Sequence, residues 1–153
     1  IAGADAVCAG DFGAGYKALI VGASRRATLT PFAGDAQLDW VLKPYTYYLN
    51  EQQQLVWITD SVALLGASGG RQQPLLAPLF ESTPLNGGGE FPWSGYDTNW
   101  TTTADTCNSW TIGTARDEQD AFEQGSFVTE TLGGIALERC SETPYLFLLC
   151  VEQ

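Results

Sequence analysis

Four cysteines constrain the fold of this 153-residue chain more than any other feature of its sequence. They are Cys8, Cys107, Cys140 and Cys150. None of them has the C-x-x-C spacing of a zinc ribbon or a redox dithiol. An even number of cysteines in a small acidic domain without methionine predicts two disulfides and an oxidising compartment. Three pairings of the four residues satisfy that prediction.

The lack of histidine excludes several kinds of active site. A chain with no His cannot build a Ser-His-Asp or Cys-His catalytic centre or a histidine-based zinc site. Carboxylates could still support acid–base or glycosidase chemistry, and they cluster at Asp117, Glu118, Asp120 and Glu123. A local acidic run is more often a solvated face. We therefore predict a domain that is not an enzyme and has no resident cofactor, with calcium the one cation to consider.

Charge and hydropathy limit the partners. Eighteen Asp and Glu against seven Lys and Arg give a net charge of −11, and the only adjacent basic pair is Arg25-Arg26. Without a basic stripe, the chain is not expected to bind nucleic acid, heparin or anionic lipid. Its acidity is typical of the solubility coat of a secreted bacterial protein. No apolar run approaches the ~20 residues that span a bilayer, so we expect no membrane span.

The length and the 44% share of hydrophobic residues fit one globular domain over residues 1–153. Near its start, Ala4, Cys8 and Phe12 recur at a helical spacing. This predicts a short helix with its cysteine facing inward, stopped by Gly13. The following segment YKALIVGAS, residues 16–24, predicts a buried strand.

The rest of the chain predicts strands separated by long loops. The segments YTYYLN and QLVWITD predict a hairpin that turns between Asn50 and Gln53. Gly, Pro and Ser dominate residues 61–89, which we interpret as mostly loop and therefore as a place to seek function. Further strands are predicted at residues 107–112, 126–132 and 144–152, and the last is apolar enough for the centre of a sheet.

The order of several short motifs carries a family resemblance. The motifs GADAVC, GYKALIV, DWVL, TYYL, W-S-G, TCNSW and a closing C…YLFLLCVEQ span residues 3–153. Together they resemble the endostatin-like branch of the C-type-lectin-like fold, and within it an uncharacterised-domain family of leptospiral surface lipoproteins and other bacterial secreted proteins. The resemblance implies an α+β fold with mixed, mainly antiparallel sheets, one or two short helices, long loops and two nested disulfides.

The resemblance also implies a disulfide pairing. In that family the first and last cysteines join, which implies Cys8 with Cys150, and the middle two join, which implies Cys107 with Cys140. Two properties of endostatin do not transfer. Heparin binding uses an arginine-rich face and zinc binding uses N-terminal histidines, and this sequence lacks both.

The segment WSGYDTNW and its surroundings hold the candidate ligand-binding residues, Trp93, Tyr96, Asp97, Asn99, Trp100 and Asp105. The polar members could supply oxygen ligands to calcium, or could hydrogen-bond their own backbone in a turn. The aromatic members could stack on a sugar or anchor a protein partner, or could lie in the core. Trp110 is assigned to the core, and Asn99 begins a glycosylation sequon.

These features predict a secreted or cell-surface binding module without catalytic activity, which presents its long loops to a protein ligand. The resemblance implies a host matrix or complement-type ligand if the source is a pathogen. A carbohydrate-binding module and a self-assembling structural subunit of an extracellular assembly are the alternatives. The expected location is extracellular or on the bacterial cell surface, and any signal peptide or lipid anchor would already have been cut away or left out.

Overall fold

The computed structural model describes residues 1–65, 76–77, 91–97, 99–102, 110, 124–128, 135–139 and 146–153. Within these residues the chain forms one helix and eight short strands, which confirms the predicted α+β class. The helix is α1 (Ala2–Phe12), and the strands are β1 (Tyr16–Ala18), β2 (Tyr47–Leu49), β3 (Leu55–Ile58), β4 (Phe91–Trp93), β5 (Gln124–Val128), β6 (Ile135–Arg139), β7 (Leu146–Leu148) and β8 (Cys150–Glu152). No helix in this part of the chain is long and apolar enough to cross a membrane.

The strands form three small sheets in the described part of the chain. β1 pairs with β8, and β2 pairs with β3, both antiparallel. The third sheet has the order β6-β5-β4-β7. In it β4 and β7 are parallel and the other neighbours are antiparallel. The sheets are therefore mixed and mainly antiparallel, as predicted.

Helix α1 turns its cysteine inward, as its spacing predicted. Cys8 is fully buried, and the helix ends at Gly13, whose φ of 109° favours glycine. Phe12 has the same helical spacing, but its side chain is 52% exposed. It lies in the last turn and packs on Tyr16, with ring centroids 5.5 Å apart, instead of entering the core.

The disulfide between Cys8 and Cys150 is present, with Cα atoms 5.5 Å apart. It joins α1 to β8 across a sequence separation of 142 residues. This confirms the outer bond that the resemblance implied. Cys107 and Cys140 lie outside the described residues, so the inner bond stays a prediction.

The strand predicted after the helix is shorter than expected. Only Tyr16–Ala18 pairs in the ladder with β8. The N–H of Leu19 donates to the carbonyl of Leu149 at 2.7 Å, and the N–H of Val21 donates to the carbonyl of Ser94 at 2.8 Å. The segment stays buried but changes its hydrogen-bonding partner along its length, so it does not form one continuous strand.

The apolar run over residues 144–152 is split between two sheets, which corrects the prediction of one central strand. In the described residues, β7 lies at the edge of the four-stranded sheet, and β8 pairs only with β1. Leu149 lies between them and accepts the N–H of Leu19, so the chain changes sheets there. In the part of the run whose burial is described, Val151 is buried, and Leu148, Leu149 and Cys150 pack against the core.

Strands β2 and β3 form the predicted hairpin. Tyr48 pairs with Trp57, and the register shifts just after Tyr48. Asn50 closes the turn, because its Oδ1 accepts the N–H of Gln54 at 2.9 Å and its N–H donates to the carbonyl of Gln54 at 3.0 Å. The turn thus lies where the sequence predicted it.

Other predicted segments lie partly outside the described residues. The strand predicted at 126–132 overlaps β5, which begins two residues earlier. Only residues 61–65 and 76–77 of the predicted long loop are described, and only Trp110 of the strand predicted at 107–112. Trp110 packs against the core as predicted, with its ring centroid 5.8 Å from that of Trp93.

The buried residues that the structure describes form two clusters. The larger cluster packs the hairpin against the loops that precede and follow it, and its members are Leu19, Val21, Ala27, Val41, Leu42, Val56, Trp57, Ala63, Leu64, Tyr96, Trp100 and Val151. The smaller cluster includes the cysteine of α1 and consists of Cys8, Ala18, Ile20 and Trp93. Ile1 and Cys150 pack against the smaller cluster, so residues from both ends of the chain contact it.

Arg25 is fully buried, a role that the sequence analysis did not predict. Its Nη1 and Nη2 donate to the two carboxylate oxygens of Asp5 at 2.9 and 2.7 Å. Nη2 also donates to the carboxylate of Asp39 at 2.5 Å, and Nη1 donates to the carbonyl of Ala18 at 2.7 Å. The guanidinium therefore ties α1 and β1 to the loop at Asp39.

Gly34 occupies a position where a side chain does not fit. Its φ is 63°, and an added Cβ would lie 2.3 Å from the Cβ of Val62. We expect Gly34→Ala to lower the free energy of unfolding by about 2 kcal/mol, because the Val62 branch point must move. Gly10→Ala in α1 is the matched control. Its Cβ would meet nothing within 4 Å, and we expect a gain of up to about 1 kcal/mol.

Urea denaturation of the two variants measures both changes. The midpoint should fall for Gly34→Ala and rise slightly for Gly10→Ala. Equal midpoints would contradict the close contact between Gly34 and Val62.

Candidate functional site

The structure places three of the predicted aromatic site residues in the core. The exposed fraction is 9% for Trp93, 2% for Tyr96 and 1% for Trp100. Tyr96 stacks on Trp100 with ring centroids 4.6 Å apart, and burial raises the pKa of the Tyr96 phenol. Of the two alternatives that the sequence left open for these rings, the structure shows the core position. The polar neighbours form the turns, while the rings turn inward because their large apolar area favours burial.

The polar candidates near Trp100 form a turn that bonds to itself. Asn99 Oδ1 accepts hydrogen bonds from the N–H of Thr101 at 2.9 Å and from the hydroxyl of Thr101 at 2.6 Å. The N–H of Trp100 donates to the carbonyl of Asp97 at 2.8 Å. This geometry matches the alternative in which the polar side chains bond local backbone. In the part of the chain that the structure describes, no cluster of three His, Cys, Asp or Glu residues could hold a metal ion, and Asp105 lies outside that part.

An open groove of about 630 Å³ lies between the hairpin and strand β8. A volume of this size is typical of ligand pockets. We call it the hairpin groove and define it by its lining residues. The aromatic ones are Phe12, Tyr16, Tyr47, Tyr48 and Trp57, the charged ones are Lys43, Glu51 and Glu152, and the others are Thr46, Leu49, Asn50, Gln53, Val56, Leu148, Leu149, Cys150, Val151 and Gln153.

Aromatic rings form both the rim and the wall of the hairpin groove. Tyr47 is 67% exposed at the rim. Tyr48 and Trp57 lie deeper, with ring centroids 5.5 Å apart. Burial raises the pKa of Tyr48, although its hydroxyl oxygen accepts the N–H of Lys43 at 2.9 Å. The buried indole N–H of Trp57 has no acceptor among the described residues.

The strand on the other side of the groove is held firmly. The disulfide attaches Cys150 to α1, and the ladder with β1 aligns β8 residue by residue. Beyond the strand, Gln153 donates its backbone N–H to the carbonyl of Gly15 at 2.7 Å and its side-chain amide to the carbonyl of Val41 at 2.5 Å. This wall is therefore held in a fixed position.

The sequence carries one signal of this groove. Tyr45, Tyr47 and Leu49 are exposed, while the residues between them are half-buried. Strand periodicity places alternate residues on one face, so the outward face of the predicted hairpin could have been recognised as unusually apolar. An exposed aromatic strand face indicates a contact surface more often than a solvated one.

A comparison with known protein families relates the chain to other proteins. Residues 1–129 match the family described as Protein of unknown function (DUF1554), which is bacterial. The chain belongs to the DUF1554 family. No curated protein and no solved structure matches it. The DUF1554 match includes the hairpin wall of the groove and ends before β8.

Proposed function

We propose that this DUF1554 domain is a binding module without catalytic activity and that the hairpin groove is its binding surface. The observation that carries the proposal is the exposed ring of Tyr47 beside an open volume of about 630 Å³. Aromatic side chains contribute a large share of the binding free energy in contact surfaces of this kind. The absence of histidine from the sequence further supports a role in binding.

We also infer the finer fold and the location of the protein. The bond between Cys8 and Cys150 is the outer pairing of the endostatin-like branch of the C-type-lectin-like fold, and it supports that assignment. A disulfide requires an oxidising environment to persist. It therefore supports a secreted or surface-displayed protein, in keeping with the acidic composition.

A protein segment is the ligand that we favour, with matrix and complement-type proteins as candidates if the source is a pathogen. A glycan is the second candidate. The exposed ring of Tyr47 could stack on a sugar, and the side chains of Glu51 and Gln53 line the same groove and can bond hydroxyl groups.

Tyr47→Ala is expected to weaken binding about tenfold, because it removes the most exposed ring of the groove. Tyr45→Ala is the matched control. Tyr45 is 72% exposed two residues away in the chain, but it does not line the groove. We expect Tyr45→Ala to bind as the unaltered domain does.

The measurement begins with a solid-phase panel of laminin, fibronectin, factor H and a glycan array. Any positive ligand is then titrated against both variants. Equal weakening by the two substitutions, or weakening by neither, would contradict a binding site in the hairpin groove. Calcium and a chelator are tested in parallel, because a calcium-dependent sugar site would respond to both.

A further inference from the structure

Both walls of the hairpin groove are strand edges. In the described residues β2 and β8 each belong to a two-stranded sheet, so each has one side without a neighbouring strand there. The groove is lined by the consecutive residues 46–51 and 148–153. Successive side chains of a strand point to opposite faces of its sheet. A groove that contacts every residue in such a row therefore follows the edge of the strand.

The hydrogen bonds of β8 show which of its backbone groups face away from β1. The N–H of Gln153 donates to the carbonyl of Gly15, just before β1, at 2.7 Å. The carbonyl of Leu149 accepts the N–H of Leu19, just after β1, at 2.7 Å. Bonded and non-bonded pairs alternate along an antiparallel ladder. Val151 is therefore the bonded residue between them, and Cys150 and Glu152 direct their N–H and C=O groups away from β1.

These backbone groups lack hydrogen-bond partners in the described residues. The facing strand has the same arrangement. The N–H of Thr59 donates to the carbonyl of Thr46 at 3.0 Å, so by the same alternation Tyr47 directs its backbone groups away from β3. Rows of unpaired N–H and C=O groups are a template for another strand.

The charge of the groove indicates the chemistry of the occupant. Glu51 and Glu152 line it against one basic residue, Lys43, and the whole chain has a net charge of −11. Complementary charge favours a basic partner. The exposed ring of Tyr47 can also attract an ammonium or guanidinium group through its π face.

We propose, on the basis of the binding role proposed for the hairpin groove, that it takes an extended basic segment of another protein. The segment adds to the free edge of β8 as a further strand. Main-chain hydrogen bonds to Cys150 and Glu152 supply the attachment, and the groove walls select alternate side chains of the segment. Lysine or arginine side chains face Glu51 and Glu152.

The test uses a linear peptide library displayed on phage and selected on the intact domain. The best peptide, synthesised with a fluorescein label, is the probe. Glu152→Pro removes an N–H that faces away from β1, together with the carboxylate, and proline is tolerated at such edges. We expect the probe to bind this variant at least about fivefold more weakly, because one main-chain hydrogen bond to the bound strand is lost. Glu152→Gln keeps the N–H and separates the loss of charge from the loss of that bond.

A second measurement leaves the protein unaltered. The probe is resynthesised in two phases, one with N-methyl groups at its odd-numbered residues and the other with N-methyl groups at its even-numbered residues. The probe of one phase should lose binding and the probe of the other should keep it, because only one of the two sets of amides faces β8. Equal binding of both phases would overturn the proposal, and so would a selection that yields no peptide or peptides without basic residues.

The outcomes separate this inference from the function on which it rests. If Tyr47→Ala weakens the probe but Glu152→Pro and N-methylation do not, the groove binds and strand addition is wrong. If none of these changes has an effect, both proposals are wrong. If a sugar binds through Tyr47 and the selection yields no peptide, the groove is a glycan site. A dimer in sedimentation that Glu152→Pro dissociates would make a second copy of the chain the occupant and would also overturn the inference.

Discussion

Joint replacement of Cys8 and Cys150 with alanine is expected to lower the free energy of unfolding by up to about 5 kcal/mol. The bond spans 142 residues of sequence, and chain-entropy theory assigns about 5 kcal/mol to a loop of that length. The total stability of a domain is about 5–15 kcal/mol. We therefore expect the double variant to be only marginally folded, with β8 and α1 the first elements to separate.

Urea denaturation followed by circular dichroism measures this effect. The midpoint should fall, and the slope of free energy against urea should rise because the unfolded chain without the bond exposes more surface. An unchanged midpoint would contradict the structural role of the bond. Peptide mapping without reduction, on the unaltered protein, tests the inner pairing and should recover Cys107 linked to Cys140.

Arg25→Ala is expected to destabilise the domain by about 3 kcal/mol. The substitution removes a fully buried guanidinium and leaves the carboxylate of Asp5 without its paired guanidinium, while Asp39 keeps only its ion pair with Lys17. Arg26→Ala is the matched control in the next position. The Arg26 side chain bonds only the carbonyl of Ala36 among the described residues, so we expect a loss of about 1 kcal/mol or less. Similar losses from both substitutions would contradict the role assigned to Arg25.

The dependence of stability on pH distinguishes the two arginines further. Burial alone raises the pKa of Asp5, but the hydrogen bonds and charge of Arg25 outweigh it and hold the pKa below its ordinary value of 3.8. A lowered pKa in the folded state stabilises the fold above pH 3.8, and this contribution is lost as the pH falls through the folded-state value. Arg25→Ala should therefore flatten the loss of stability below pH 3.8.

Asp35 does not obscure that comparison. Hydrogen bonds from the hydroxyl of Thr28 and the backbone of Thr30 lower the pKa of Asp35. They are present in the unaltered domain and should persist in both arginine variants. Urea midpoints from neutral pH to below pH 3.8 measure the difference between Arg25→Ala and Arg26→Ala. Parallel curves would show that Arg25 does not control the titration of Asp5.

Local features of the fold could be predicted from the sequence pattern, whereas features that join distant segments could not, apart from the outer disulfide that the family resemblance implied. The helix around Cys8 and the turn at Asn50 follow from spacing and turn chemistry within a few residues. Arg25 instead meets carboxylates 20 and 14 residues away in the sequence. No local pattern distinguishes such a buried ion pair from a pair of solvated charges.

The direction of the candidate aromatic rings could not be predicted for a similar reason. Trp93 and Trp100 lie among glycine and polar residues, which left both an exposed position and a core position open, because the direction of a ring depends on how the rest of the chain packs against it. The hairpin groove combines residues near Tyr47 with residues near Cys150. The hairpin and the outer disulfide were both expected. Their juxtaposition depends on how β8 packs beside the hairpin, which the sequence pattern does not specify.

The most direct test of the hairpin groove is a map of backbone amide shifts in the NMR spectrum as a positive ligand from the binding panel or the peptide selection is added. We predict that the largest changes fall on residues 47–51 and 149–153, on both walls of the groove. Changes confined to the turn at 96–102, with the groove amides unmoved, would contradict the account.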